Sequence, residues 1–200
     1  LGNAVYTLNG KEIGKTAFDY GKTRYNLSVE GEHNIENALL VIETAKWAGV
    51  TTENIQKGLL NYKPIEKRWE ITKIGDLTFI NDSYNANPES MTAVLKTFLS
   101  VYKAPLCVLL GDMKELGKNE IAYHKKIGEF LSSYQGVTLL TVGELAKFIS
   151  RACTLDSKHF DNKQECAKYV KNNLEPNTTI LLKASRSMKF EEIIEMVKNL

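Results

Sequence analysis

Asn81-Asp82-Ser83-Tyr84-Asn85-Ala86-Asn87-Pro88-Glu89-Ser90-Met91 decides how this chain folds, because a short apolar strand ends in it and a long amphipathic helix begins. Upstream, Leu77-Thr78-Phe79-Ile80 has the composition of a buried strand. Downstream, Met91, Val94, Leu95, Phe98, Leu99 and Tyr102 recur at the i, i+3, i+4, i+7 spacing of one helix face. Asn87 is the natural N-cap of that helix, with Pro88 at its first position. Polar loops between a strand's carboxyl end and a helix N-terminus are where open α/β sheets bind ligands, since orphan backbone N–H groups there attract anions.

Working outward toward the carboxyl terminus, strand and helix periods alternate. Trp69–Ile74 and Leu77–Ile80 flank the Gly-first turn Gly75-Asp76 and form a hairpin. Helix 88–102, strand 106–110, helix 119–134, strand 137–142 and helix 144–153 follow, then a weak strand near His159-Phe160, helix 163–173, strand 179–183 and helix 189–199. Short buried strands alternating with helices imply a mostly parallel sheet covered on both faces, with the hairpin as an antiparallel edge. Loops 81–87, 111–118 and 184–188 then share one rim.

Toward the amino terminus the pattern differs. Val5–Leu8, the Asn9-Gly10 hairpin signal and Tyr25–Val29 read as a small β segment. Ile35, Ala38, Leu39, Ile42 and Ala45 then lie on one helix face that ends at Gly49, and a short helix starts with Thr52 as its cap. Lys63-Pro64 and the charged Glu66-Lys67-Arg68 break the helical period, which sets the expected boundary between segments 1–66 and 67–200. Gly10 to Thr16 imitates a phosphate-cradling P-loop with one residue too few between its glycines and no strand leading in, so that reading is rejected.

Bulk properties exclude several classes. The 43% hydrophobic content supports a core, and a net charge of +2 without a basic, aromatic-rich patch gives no pull toward nucleic acid or membrane. Cys107, Cys153 and Cys166 have no C-x-x-C spacing and suit reduced thiols of a cytoplasmic protein. The run Leu106–Leu110 is too short to cross a bilayer. The chain starts at Leu1 rather than Met, in a strand-rich region, which is the expectation for a fragment whose amino-terminal portion lies elsewhere.

Chemistry concentrates on the three rim loops. Asp82 has two readings: a carboxylate that accepts hydrogen bonds from a ribose diol, or one that joins Ser83 and Asn87 in an Asx turn and helix cap. Asn85 and Asn87 can orient polar substrate groups. Gly111-Asp112 and Gly117 suit a turn before a helix as well as they suit a site. His124 has the position of a packed or surface residue rather than a catalytic one. Lys183-Ala184-Ser185-Arg186 places two cations and a hydroxyl at a buried strand's end, suited to a phosphate or carboxylate. His33 lacks a second histidine at helical spacing and a nearby cysteine, so no metal site is assigned.

Together, Gly31-Glu32-His33-Asn34-Ile35-Glu36-Asn37-Ala38, Arg68, the 81–91 stretch, Leu110-Gly111-Asp112-Met113-x-Glu115-Leu116-Gly117 and Lys183-x-Ser185-Arg186 resemble the Mur ligases, in order and with consistent spacing. The Ser-Tyr-Asn-Ala-Asn-Pro and Gly-Asp-Met-x-Glu-Leu-Gly blocks are most similar to the branch that joins D-alanyl-D-alanine to UDP-N-acetylmuramoyl-tripeptide. The resemblance implies an α/β fold: a Rossmann-like carboxyl-terminal domain over 67–200, its mostly parallel sheet edged by an antiparallel hairpin. Residues 1–66 would be the small β plus helical tail of a central ATPase domain.

It implies that ATP phosphorylates the tripeptide carboxylate and that the dipeptide amine attacks the acyl phosphate. Mg²⁺ would assist through ligands mainly upstream of this chain. By the same resemblance, Asn37 contacts adenine with Asn34 beside it, Arg68 reaches the phosphates, and Asp82 holds the ribose. Tyr84, Asn85, Asn87, Lys183, Ser185 and Arg186 face the acyl phosphate and dipeptide. The expected state is a cytoplasmic monomer without nucleic-acid or membrane partners, inactive as this segment alone.

Two departures stand out: Lys67 and Ala184 each occupy a position where the family usually has glycine. The alternatives are a sibling amide ligase, folylpolyglutamate synthetase among them, or a non-catalytic nucleotide-binding or interaction module on the same sheet.

Overall fold

The computed structural model describes residues 5–8, 16–29, 32–63 and 67–200, with side chains at 17–29, 34–63 and 67–200. The Asn9-Gly10 hairpin and the P-loop imitation lie outside the described residues, apart from Thr16, as does the side chain of His33. The chain forms two compact units, Leu1–Pro64 and Ile65–Leu200.

In the first unit, β1 (Val5–Leu8), β2 (Thr16–Tyr20) and β3 (Thr23–Leu27) make an antiparallel sheet in that order. Strand β2 was not anticipated; its signal is the two-residue turn Gly21-Lys22, where Gly21 takes φ +63 and brings Tyr20 opposite Thr23. The sheet carries α1 (Glu32–Trp47) and α2 (Thr52–Leu60). Thr51, not Thr52, caps α2, its side-chain oxygen accepting from the Asn54 N–H. Phe18, Tyr25 and Leu27 of the sheet, Ile35, Ala38 and Ile42 of α1, and Ile55 and Leu59 of α2 form one core. Gln56 adds a tie, donating to the Arg24 carbonyl at 2.7 Å.

The second unit is the expected α/β layer structure. Its strands are β4 (Glu70–Ile74), β5 (Leu77–Asn81), β6 (Leu106–Gly111), β7 (Val137–Val142), β8 (Ser157–Phe160) and β9 (Thr179–Lys183). They lie in the order β4-β5-β9-β6-β7-β8. Only the β4–β5 edge hairpin is antiparallel, and the remaining pairs are parallel. The last strand in sequence therefore sits between β5 and β6, which gathers the carboxyl ends of β5, β9 and β6 side by side. That is the switch point where such sheets hold ligands.

Helices α3 (Pro88–Val101), α4 (Glu120–Leu131) and α5 (Lys147–Ala152) cover one face, and α6 (Lys163–Asn173) and α7 (Glu191–Asn199) the other. The two-residue period of the strands feeds both layers: Val108, Leu110 and Leu181 point to the first, Cys107, Leu109, Ile180 and Leu182 to the second. Each of these side chains is fully buried and contributes about 1.5–3 kcal/mol of transfer free energy if Val- to Leu-sized. Burial also pushes the thiol of Cys107 well above its ordinary value and that of Cys166 to about 12, which leaves both inert.

Two helices start later than their apolar periods suggested. α4 is preceded by a 3₁₀ turn over Gly117–Asn119, and α7 by one over Arg186–Met188. α5 is shorter than 144–153 because the N–H groups of Leu145 and Ala146 serve a side chain elsewhere on the rim.

Candidate functional site

The 81–91 loop is built from its own side chains outward. Asn81, buried at the end of β5, accepts from the Ser83 N–H at 3.2 Å and its hydroxyl at 2.6 Å, making the Asx turn. Asn87 accepts from the Ser90 N–H at 2.7 Å while the Ser90 hydroxyl accepts from the Asn87 N–H at 3.1 Å, a reciprocal capping box that starts α3 at Pro88. Asp82 thus has neither of its local roles. Its Oδ2 accepts from Lys183 Nζ at 2.6 Å and its Oδ1 from the Trp69 N–H at 3.2 Å.

Lys183 is 3% exposed, and its charge is answered within the fold. Its ammonium also donates to the carbonyls of Asn85 at 2.9 Å and Asp82 at 3.3 Å. One buried cation therefore ties the end of β9 to both ends of the loop after β5. An ionised carboxylate has about four lone-pair sites, and these two bonds leave Asp82 capacity for two ligand hydroxyls.

The second and third rim loops are bound to each other through Ser185. Its N–H donates to the Asp112 carbonyl at 3.0 Å and its hydroxyl accepts from the Lys114 N–H at 2.8 Å. Asp112, 1% exposed, accepts through Oδ1 from the N–H groups of Leu145 and Ala146 at 2.9 and 2.8 Å and pairs through Oδ2 with Lys114 Nζ at 2.6 Å. A fourth loop, 143–146, thus joins the rim.

Glycine is required at two points here. A Cβ on Gly143, at φ +120, would stand 2.4 Å from Asp112 Oδ1, and one on Gly111 would meet the Phe190 ring at 2.5 Å and Ala184 Cβ at 2.7 Å. Ala184 is fully buried in that contact, so the methyl group in place of the family's usual glycine is accommodated by Gly111 opposite.

His124 is a packed histidine. Its Nε2 accepts from the Met113 N–H at 2.9 Å and its Nδ1 donates to the Glu120 carbonyl at 2.7 Å, an arrangement only the neutral ring with its proton on Nδ1 satisfies. Desolvation lowers its pKa, against the Glu120 carbonyl and the Asp112 charge that favour protonation.

Cations line the outer rim. The exposed Arg68 guanidinium lies 4.4 Å from the centre of the Tyr84 ring, and the Tyr84 N–H donates to the Lys67 carbonyl at 3.1 Å. Lys67 has φ +64, in the left-handed region that favours glycine. Arg186, its side chain 54% exposed, stands after Ser185 and donates to Glu191 Oε1 at 3.3 Å. Burial would raise the Glu191 carboxyl, but the hydrogen bond from Lys67, with Arg186 nearby, more than offsets it and holds it below the usual carboxylate range.

Arg68, Asp82, Tyr84, Asn85, Asn87, Lys183, Ser185 and Arg186 are therefore gathered on one rim of the second unit, while Asn34 and Asn37 share one face of α1 in the first. Lys114 and Glu191 matter to the rim but carried no sequence signal, while Lys67 and Asp112 were noted in the sequence without an assigned role. Their partners lie far away in the chain, except for the Lys67 N–H on Glu70, the Lys114 ammonium on Asp112 and Arg186 on Glu191.

Guanidinium groups of Arg68 and Arg186 suit forked contacts to phosphate or carboxylate oxygens, and Asp82 suits a diol. That donor set fits a nucleotide. It offers no cage for a cation: among the described residues, no group of three or more His, Cys, Asp or Glu side chains could hold a metal ion. Among the described residues, no helix is long and apolar enough to cross a membrane.

The sequence and fold that carry this rim are similar to those of known proteins. Residues 67–186 match the family described as Mur ligase, glutamate ligase domain. The chain is 37% identical over 180 residues to UDP-N-acetylmuramoyl-tripeptide--D-alanyl-D-alanine ligase of Buchnera aphidicola subsp. Baizongia pistaciae, covering 88% of this chain and 39% of that protein. A crystal structure of MurF from Acinetobacter baumannii superposes with a TM-score of 0.85 at 25% identity, over 94% of this chain and 43% of that one. MurF ligase from Thermotoga maritima, solved in complex with ADP, has the same fold, with a TM-score of 0.78 at 22% identity over 98% and 46% of the two chains. The present chain thus spans about two fifths of the curated relative's length. With the match covering more than half its residues and falling on the rim just described, the chain belongs to the Mur ligase family.

Proposed function

We propose that the full-length protein carrying this chain is a cytoplasmic, ATP-dependent ligase of peptidoglycan precursor synthesis that joins D-alanyl-D-alanine to UDP-N-acetylmuramoyl-tripeptide. Residues 1–66 are read as the carboxyl-terminal portion of its central ATP-binding domain and 67–200 as its Rossmann-like domain. The observation that carries the reading is the interlock of the three rim loops by Lys183 and Ser185, because these loops contain the blocks that resemble the D-alanyl-D-alanine-adding branch. Relatives at 32–37% identity bear that activity in their names.

ATP supplies the phosphoryl group that turns the tripeptide carboxylate into an acyl phosphate, and the dipeptide amine then displaces phosphate with formation of the amide. The chain's own residues bind and orient. Asp82, held by Lys183 and the Trp69 N–H, receives the ribose hydroxyls. Arg68, stacked on Tyr84, receives nucleotide phosphate oxygens, and Asn34 and Asn37 of the first unit contact adenine. Arg186 and Ser185, with Asn85 and Asn87 nearby, meet the charge that builds on the acyl phosphate as the amine adds. Preorganised donors are effective there because they need no reorientation during the reaction. Mg²⁺ belongs to this chemistry, but the described residues provide no ligand set for it, and no step is assigned to it.

The test is an acceptor panel with the full-length protein, ATP, Mg²⁺ and the UDP-linked tripeptide. Amide formation with D-alanyl-D-alanine, and not with D-glutamate, diaminopimelate or lysine, is the expected result. Amide formation with one of the latter, or addition of glutamate to the activated side-chain carboxylate of a glutamyl-folate, would assign the chain to a sibling ligase.

A further inference from the structure

Neither the family resemblance nor the proposed chemistry uses Glu191, the first residue of α7, and its surroundings are unusual. Oε1 accepts from Lys67 Nζ at 2.6 Å and from Arg186 Nη1 at 3.3 Å, and Oε2 is buried with no hydrogen-bond partner. Lys67 and Glu191 are mostly covered, 18% and 25% exposed at their side chains, so the pair is shielded from water in a way that surface ion pairs are not.

Lys67 is also held at its backbone: its N–H donates to Glu70 Oε2 at 3.3 Å and its carbonyl accepts from the Tyr84 N–H at 3.1 Å. A lysine at φ +64 lies in the left-handed region that favours glycine. Its backbone hydrogen bonds and the ammonium clamped on Glu191 hold it there together. The next residue is Arg68, whose guanidinium lies on Tyr84.

We infer that Glu191 is a positioning residue that sets both rim guanidiniums, Arg186 by direct contact and Arg68 through Lys67, so that the two present one anion-binding pair. It touches no ligand itself. The inference rests on the proposed role of Arg68 and Arg186 in binding nucleotide and acyl-phosphate oxygens. Its structural part stands without that role. Where the family's usual glycine would adopt the left-handed backbone unaided, this chain combines lysine with the carboxylate that retains it.

The test is a double-mutant cycle in the 200-residue chain. With its guanidinium 4.4 Å from the Tyr84 ring centre, Arg68 is expected to show upfield-shifted δ-protons, which NMR reads directly. Glu191→Gln is expected to collapse that shift and broaden the Arg186 Nε–H signal while the amide spectrum of the sheet stays native. Lys67→Gly alone should keep the Arg68 shift, since glycine takes φ +64 without strain. In the Lys67→Gly background, Glu191→Gln should then leave Arg68 unmoved while still releasing Arg186.

An unchanged Arg68 shift in Glu191→Gln, or an equal loss with and without Lys67, would overturn the inference. ADP titration supplies the separate functional arm, in the full-length protein: Glu191→Gln should weaken ADP roughly tenfold, and Lys67→Gly/Glu191→Gln less. If wild type binds no ADP while the NMR cycle behaves as described, the nucleotide reading fails and the positioning role stands.

Discussion

Replacing Lys183 with Met keeps an unbranched side chain one atom shorter and removes the ammonium that joins β9 to the loop after β5. Three contacts disappear: to Asp82 Oδ2 at 2.6 Å, to the Asn85 carbonyl at 2.9 Å and to the Asp82 carbonyl at 3.3 Å. The larger effect is on what remains. Asp82, 14% exposed, keeps one backbone donor from Trp69 and an unpaired charge. Breaking a buried pair by removing one partner costs about 3–5 kcal/mol, and the partial exposure of Asp82 places this pair near about 3 kcal/mol. For a unit of this size that lowers Tm by roughly 10 °C.

Urea unfolding followed by tryptophan fluorescence suits the measurement, because Trp69 is packed among the residues of the second unit whereas Trp47 is 90% exposed and changes little. Asp82→Asn removes the charge that Lys183 answers, so the double variant should recover about 2 kcal/mol relative to the sum of the singles. Additive effects, or a Lys183→Met loss below about 0.5 kcal/mol, would refute the claim that this pair holds the rim together.

Three further outcomes are expected. Gly111→Ala, whose Cβ would meet Phe190 at 2.5 Å and Ala184 at 2.7 Å, should destabilise by about 1–3 kcal/mol in urea melts, and Ala184→Gly should recover part of it. Asn87→Ala, which removes the capping box of α3, should cost about 1 kcal/mol by the same assay. His124 binds fewer protons folded than unfolded once the pH falls to about 6.5, so its contribution is intact above that value and declines as the pH drops toward its lowered folded pKa. Melts of wild type and His124→Phe across this range should converge on acidification, with the variant weaker by about 1–3 kcal/mol at neutral pH because the Met113 N–H loses its acceptor.

What the sequence made legible was local. Strands 137–142 and 179–183 and helix 163–173 have the bounds their periodicity set, because their apolar patterns mark all three elements without help from distant residues; in the structure Asn162 caps the helix. The Asn87 cap and the Gly75 hairpin were readable for the same reason. Long-range pairing was not. Asp82 meets Lys183 across 101 positions and Ser185 meets Lys114 across 71, so neither their role as ties nor the contribution of loop 143–146 had a local signature. The early start assigned to α5 failed by the same physics: Leu145 and Ala146 direct their N–H groups to Asp112, across 33 and 34 positions, rather than into a helical turn. Lys67 was noted only as a departure from glycine; its left-handed backbone and its long-range contact to Glu191 had no local signature either.

The central claim, ligation of D-alanyl-D-alanine through an activated tripeptide carboxylate, is tested most directly by isotope transfer. The full-length protein is given ATP, D-alanyl-D-alanine and UDP-N-acetylmuramoyl-tripeptide labelled with ¹⁸O in its reacting carboxylate. A carboxylate oxygen that attacks the γ-phosphorus becomes the bridge of the acyl phosphate and departs with phosphate when the amine forms the amide. One ¹⁸O in each phosphate released, matched by one amide formed, is the expected result. Unlabelled phosphate, or labelled phosphate without the D-alanyl-D-alanine product, would contradict the account.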